Sequence, residues 1–163
     1  MRFGHDGKLY GNPLFGGAND QGTLFAYDPA TDMIAVLADL DSGEFSYASG
    51  NVAFGTHGRI FGTTNGGGRY GFGSVYSYTP GNGLHTEASF RRNDRIGAIS
   101  YGGLTVGPDG WVSGTTEQAN HGGGTVYRFT TVPEPGSLAW AAPGVAGVIA
   151  LRRRGAQLEG KRV

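Results

Sequence analysis

The sequence predicts an all-β chain built from four-stranded units about 50 residues long, followed by an apolar helix near the C-terminus. Three observations carry this expectation. Glycine supplies 32 of 163 residues and proline 7, so turns are frequent. Aromatic residues make up 12% of the chain, more than a chain lacking a packed core would use. The glycines also keep register: Gly22, Gly73 and Gly124 are separated by 51 residues, twice. Periodic glycine beside aromatic residues describes tight turns between short strands.

The repeat is visible in three separate elements. Asp6–Gly11 (DGKLYG), His57–Gly62 (HGRIFG) and Asp109–Gly114 (DGWVSG) align, and the second and third continue as Thr63-Thr64 and Thr115-Thr116. Gly22–Tyr27 (GTLFAY), Gly73–Tyr78 (GSVYSY) and Gly124–Phe129 (GTVYRF) align next. Gly50–Gly55 (GNVAFG) is matched by Gly103–Gly107 (GLTVG). The middle unit reads as strands at Asn51–Phe54, Arg59–Thr64, Ser74–Thr79 and Leu84–Phe90. Val75, Tyr76 and Tyr78 are β-branched or aromatic, which suits a pleated surface. Gly55–Gly58 and Gly107–Gly110 are turn signals, the latter with Pro fixing φ and Gly supplying positive φ.

Four strands in about 50 residues is the size of a propeller blade, and propellers close with roughly 4–8 blades. On this reading residues 1–131 hold two complete units and part of a third: an incomplete β-propeller-like array. The first unit is expected to begin at its second strand and the last to end at its third. Unpaired edges would then remain at both ends. A truncated reading frame, an oligomer that completes the ring, or a small stacked array would each account for this. Met1–Asp6 is not followed by an apolar run, so no signal peptide is legible. Truncation upstream of Met1 is the favoured expectation.

Past Thr131 the texture changes. Val132-Pro133-Glu134-Pro135 is stiff and extended, because each proline fixes φ and disfavours helix in the residue before it. Leu138–Leu151 carries no charge, and Arg152-Arg153-Arg154 follows it directly. The apolar stretch from Gly136 to Leu151 is expected to form a helix. It spans 16 residues, where a membrane-crossing helix needs about 20. The arginines would act as a membrane stop signal on the cytoplasmic side. Residues 132–154 thus form a segment of their own, with 155–163 as a basic tail. From Arg152 to the end there are five basic residues and one acid, while the preceding 151 residues hold eight basic and twelve acidic. An acidic body argues against nucleic acid as a partner.

The pattern G-x-x-Y/F-G-T-T, a glycine-rich loop, then G-T-V-Y/F resembles the GloVer-type tandem repeats of bacterial exported proteins, over residues 4 to 131. That resemblance implies a propeller-like architecture. Asn12-Pro13 departs from it, standing where the other units carry Thr-Thr. Val132–Arg154 resembles the PEP-CTERM sorting signal. It implies recognition by an exosortase-type membrane enzyme at Val132, Pro133, Glu134 and Pro135, a membrane contact through the C-terminal helix, and delivery to the cell surface or extracellular matrix, where exopolysaccharide is a possible partner class.

Chemistry-bearing constellations are sparse. There are no cysteines, which removes disulfides and thiolate metal sites. His5, His57, His85 and His121 show no metal-ligand spacing, and His57 takes the turn position of Asp6 and Asp109. Gly66–Gly73 (GGGRYGFG) lacks the Gly-Lys-Ser/Thr of a phosphate-binding loop. No cofactor or metal is therefore assigned. Arg91, Arg92 and Arg95 form a small basic cluster. Tyr70 and Trp111 sit beside glycines and are the candidates for stacking on a sugar ring. Trp111 aligns with Lys8 and Arg59, which places it toward solvent. Asp28, Asp32, Asp39, Asp41 and Glu44 could hide a glycosidase pair, although no spacing marks one. The leading expectation is a non-enzymatic surface or matrix protein. A carbohydrate-binding module comes second and a glycoside hydrolase-like enzyme third.

Overall fold

The computed structural model describes residues 1–41, 43–92, 97–118 and 123–130, and the backbone of 148–151. Twelve strands form three antiparallel four-stranded sheets. Sheet 1 is β1 (Arg2–Phe3), β2 (Leu9–Gly11), β3 (Thr23–Asp28) and β4 (Met33–Asp39). Sheet 2 is β5 (Ser46–Phe54), β6 (Ile60–Gly66), β7 (Ser74–Thr79) and β8 (Gly83–Ser89). Sheet 3 is β9 (Thr105–Val106), β10 (Trp111–Thr116), β11 (Thr125–Thr130) and β12 (Val148–Leu151). Within each sheet the strands lie in chain order. The sequence-based strands of the middle unit fall on β5 to β8, with β5 beginning earlier than expected.

Two expectations are corrected. First, no sheet is short of a strand: β1 opens the first unit and β12 completes the third. Second, Val148–Leu151, expected within the apolar helix, is a strand that pairs with β11 from Val126↔Leu151 to Phe129↔Val148. The physical reason is the open edge of β11. In sheets 1 and 2 the fourth strand follows the third across a tight turn, whereas the chain after Thr130 enters the proline-rich segment. An unpaired edge recruits whatever β-forming backbone is at hand, and two β-branched residues in this segment suit it. The remainder of the expected helix, with the sorting motif Val132–Pro135 and the stop signal Arg152–Arg154, lies outside the described residues. Among the described residues no helix is long and apolar enough to cross a membrane.

The repeat glycines have steric roles. Gly22, Gly73 and Gly124 precede β3, β7 and β11, where the chain grazes the preceding strand. A methyl group would lie 2.5 Å from Pro13 O at Gly22 and 2.5 Å from Thr116 O at Gly124, and would overlap Thr64 O at Gly73. Gly22 (φ 102°) and Gly73 (φ 90°) also take backbone angles that side chains resist. Gly11, Gly62 and Gly114 do different work. Each lies beneath an aromatic ring of the adjacent strand, namely Phe25, Tyr76 and Tyr127. The paired threonines are explained as well. Thr63 Oγ1 donates to Ser49 O (2.9 Å), and Thr64 Oγ1 meets Ser74 Oγ (3.0 Å), so these buried hydroxyls are partnered.

The sheets pack face to face. Ala53, Phe61, Val75 and Phe90 of sheet 2 and its flank meet Leu104, Val112, Tyr127 and Phe129 on the sheet 3 side. Phe61 and Phe129 pack edge to face at 6.0 Å, as do Phe90 and Tyr127 at 5.3 Å. On its other side sheet 2 presents Val52, Ile60 and Tyr78 to Leu24, Tyr10 and Ala38, and Tyr76 to Leu40. Each large side chain so buried contributes about 1.5–3 kcal/mol. The first strands converge along one line: the Met1 amino group donates to Asn51 Oδ1 (2.9 Å), and Leu104 N donates to Asn51 O (3.4 Å).

Candidate functional site

Tyr70 stands in the β6–β7 loop, exposed. The Arg69 guanidinium lies 5.7 Å from its ring centroid and that of Arg91 lies 5.2 Å away. The fold brings these together because β8 runs back beside β7 and ends at Ser89, opposite Ser74, where the β6–β7 loop ends. Arg69 N donates to Ser89 Oγ (3.1 Å), tying the loop to the end of β8. Among the described residues, no carboxylate pairs with Arg69 or Arg91. The result is an exposed aromatic face flanked by two guanidiniums. A planar ring stacks on the apolar face of a sugar, and guanidiniums fork onto carboxylate or sulfate oxygens. Arg92 is exposed next to Arg91, and Arg95 lies outside the described residues.

Trp111 is elsewhere. It opens β10, at the end of its sheet opposite the long loops, and Arg128 of β11 covers its ring at 4.5 Å. The ring is half-buried. The two stacking candidates therefore do not share a site. Near Trp111, Phe54, Gly55, Thr56 and Phe61 face Val106, Gly107, Pro108 and Gly110 across a cleft of about 310 Å³ between sheets 2 and 3. Its lining carries no ionisable side chain.

The acidic residues of the loops are engaged in the fold. Asp28 pairs with Lys8 (3.7 Å), and Asp32 accepts from the Tyr27 hydroxyl (2.9 Å). Asp39 accepts from Ala18 N (3.2 Å) and Asp41 from Gly43 N and Glu44 N (3.1 Å each). Glu44 accepts from Thr86 Oγ1 (2.9 Å). The most enclosed ion pair joins Arg59 to Glu87, and Ser77 Oγ also donates to Glu87 (2.6 Å). His5, His57 and His85 are exposed, His121 lies outside the described residues, and no group of three metal-ligating side chains occurs among the described residues. Burial, then the hydrogen bond to Asp6, pushes the Tyr10 hydroxyl up to about 12. Burial likewise raises Tyr76 and Tyr127. These are core tyrosines, and their shifts report packing.

Sequence reasoning named Tyr70 and Arg91 separately and missed that they meet. Part of the signal was available: strands folded back about the turn at Gly81 bring residue 91 level with residues 71–72, beside Tyr70, the exact register depending on a bulge between Val75 and Tyr76.

Three similar four-stranded sheets in series define a tandem β-repeat protein. The model of the Gloeobacter/Verrucomicrobia repeat matches residues 1–139, and the chain belongs to that family. No curated protein matches it.

Proposed function

We propose that this chain is a non-enzymatic surface or extracellular-matrix protein whose three sheets are an arc of a propeller-like ring and whose C-terminal region is a sorting signal. The observation that carries the reading is the order of the tail: Val132-Pro133-Glu134-Pro135, an uncharged run from Leu138 to Leu151, then Arg152-Arg153-Arg154. A stiff extended handle fits the cleft of a processing enzyme of the exosortase type. The uncharged run supplies apolar surface for a bilayer, and the arginines favour its cytoplasmic side. The ring reading is supported by the convergence of the first strands at Asn51 and by face-to-face packing in one constant order.

The test is a reporter fused to residues 130–163, expressed with and without the sorting enzyme and followed by fractionation. The expected result is a processed reporter at the cell surface only when the enzyme is present. A whole, dissolved reporter under both conditions would overturn the reading.

A second reading, binding of carbohydrate, is favoured by one specific observation: Arg69 and Arg91 over Tyr70. It points to acidic sugars, whose carboxylate or sulfate oxygens the two guanidiniums can fork onto. On a glycan array the chain is expected to retain uronate or sulfated polymers, with loss on Tyr70→Ala. Equal retention by that variant would dismiss this site.

A further inference from the structure

The interface between sheets 1 and 2 and that between sheets 2 and 3 are built from equivalent positions, and one difference between them coincides with a space. Leu9, Ile60 and Val112 correspond, since their cross-strand partners are Tyr27, Tyr78 and Phe129. The next residue along each strand then gives Tyr10 in sheet 1 and Phe61 in sheet 2 as counterparts. On the neighbouring inner strands Ile60 pairs with Phe54 and Val112 with Val106. Val106 therefore stands in sheet 3 where Phe54 stands in sheet 2.

At the first interface the Phe54 ring packs edge to face on Tyr10, with centroids 5.2 Å apart, and Tyr78 belongs to the same cluster. At the second interface Phe61 takes the place of Tyr10. Phe129, the counterpart of Tyr78, packs edge to face on it at 6.0 Å. Val106 brings no ring to the other contact. There the cleft of about 310 Å³ opens, with Phe61 and Val106 both in its wall. The first interface thus shows what fits such a position: a phenyl ring, held by the edge-to-face preference of aromatic pairs.

The walls offer water little. The two turns that frame the cleft use their own amides: Gly55 N donates to Arg59 O (2.9 Å), Gly107 N to Trp111 O (2.8 Å) and Gly110 N to Gly107 O (3.0 Å). The Arg59 guanidinium above the Phe61 ring is paired with Glu87. Among the lining residues Thr56 alone carries a side-chain hydroxyl, and it is exposed at the rim. A bound water needs two to four polar partners, whereas an apolar cavity of about 150 Å³ is enough for benzene.

We propose that this cleft binds a small neutral aromatic compound, a single ring with at most one polar substituent, whose ring takes against Phe61 the place that Phe54 takes against Tyr10. The ring would lie between the β5–β6 and β9–β10 turns, with its substituent toward the Thr56 hydroxyl. The site is separate from Tyr70 and from the sorting tail, and its test bears on neither.

Titration of the full chain with phenol, followed by nuclear magnetic resonance, tests this. The Val106 methyl signals should shift saturably, while those of Val126, exposed on sheet 3, should stay still. Cyclohexanol, of similar size but without a π face, should bind about fivefold more weakly. Val106→Phe supplies the missing ring from the chain itself. It should weaken phenol binding at least about tenfold by occupying the site. It should also raise the midpoint of thermal unfolding by about 2–4 °C, as filling a cavity does. Val106→Ala, which leaves the cleft open, should still bind phenol. Any of four results overturns the proposal: no saturable shift at Val106, phenol binding indifferent to Val106→Phe, equal affinity for cyclohexanol, or a Val106→Phe chain that melts earlier because the ring does not fit.

Discussion

Sheet 2 and its two neighbours share a plan and differ in circumstance. Sheet 2 is covered on both faces, and Val52, Val75 and Tyr76 have no accessible surface. Sheets 1 and 3 are covered on one face, and their outward positions carry Ile34, Val36 and Val126 in contact with water. The same sequence motif therefore does different energetic work depending on its place in the series, as expected where each unit is stabilised largely by its neighbours. Sheet 2 should be the last part to open.

Substitutions at matched positions can break or sharpen this contrast. The largest effect is expected at Gly73, where a side chain would meet both positive φ and the carbonyl of Thr64. Gly73→Val should cost about 4 kcal/mol or more, enough to abolish cooperative unfolding in a marginal domain, as followed by circular dichroism. Gly7, also at positive φ (78°) but with open space around it, tolerates a side chain better, and Gly7→Ala should cost only about 1 kcal/mol. Next comes the equivalent pair Val75 and Val126. Val75→Ala should cost about 2 kcal/mol in denaturant titration, and Val126→Ala under about 0.5 kcal/mol. Equal costs would mean that the outer sheets are as buried as the middle one.

Alkaline pH provides a third handle. Burial raises the Tyr76 and Tyr127 hydroxyls above their ordinary value of 10.0. Their neutral forms are favoured by the folded state, so this stability is fully present below about pH 10 and is lost as pH rises toward the folded values. The slope should be about 1.4 kcal/mol per pH unit for each tyrosine. Tyr76→Phe should flatten the fall measured by chemical denaturation above pH 10, and an unchanged slope would contradict it. A modest effect is expected at the β5–β6 turn. His57 adopts φ 57° there, while its counterpart Asp109 accepts a hydrogen bond from Trp111 N (3.2 Å). His57→Gly should raise the midpoint of thermal unfolding by about 2–4 °C, and Asp109→Ala should lower it by a similar amount.

Much of the fold was legible because its causes are local. The 51-residue glycine spacing records the passage of one strand against the last, and the aromatic positions of β3, β7 and β11 record one repeated face. What escaped depended on partners distant in the chain. Arg2–Phe3 is too short to announce itself as a strand. Val148–Leu151 sits in an apolar run in which periodicity cannot separate strand from helix, and only the edge of β11 decides between them. The stacking candidates were legible as residue types beside glycine. Their separation into a solvent-facing Tyr70 with two guanidiniums and a half-covered Trp111 beneath Arg128 required the return path of β8 and the pairing of β10 with β11.

Strand β12 ties the C-terminal region to the body, because four of its residues serve as rungs of sheet 3. Rungs cannot be in two places. Whatever draws Val148–Leu151 away, whether a bilayer or a protease, strips the cover from one side of Thr125–Thr130 and leaves its amides and carbonyls to find new company. Were the tail released as proposed, its departure and the appearance of an adhesive edge would be one event, and the body would be most sociable at the moment it was set free.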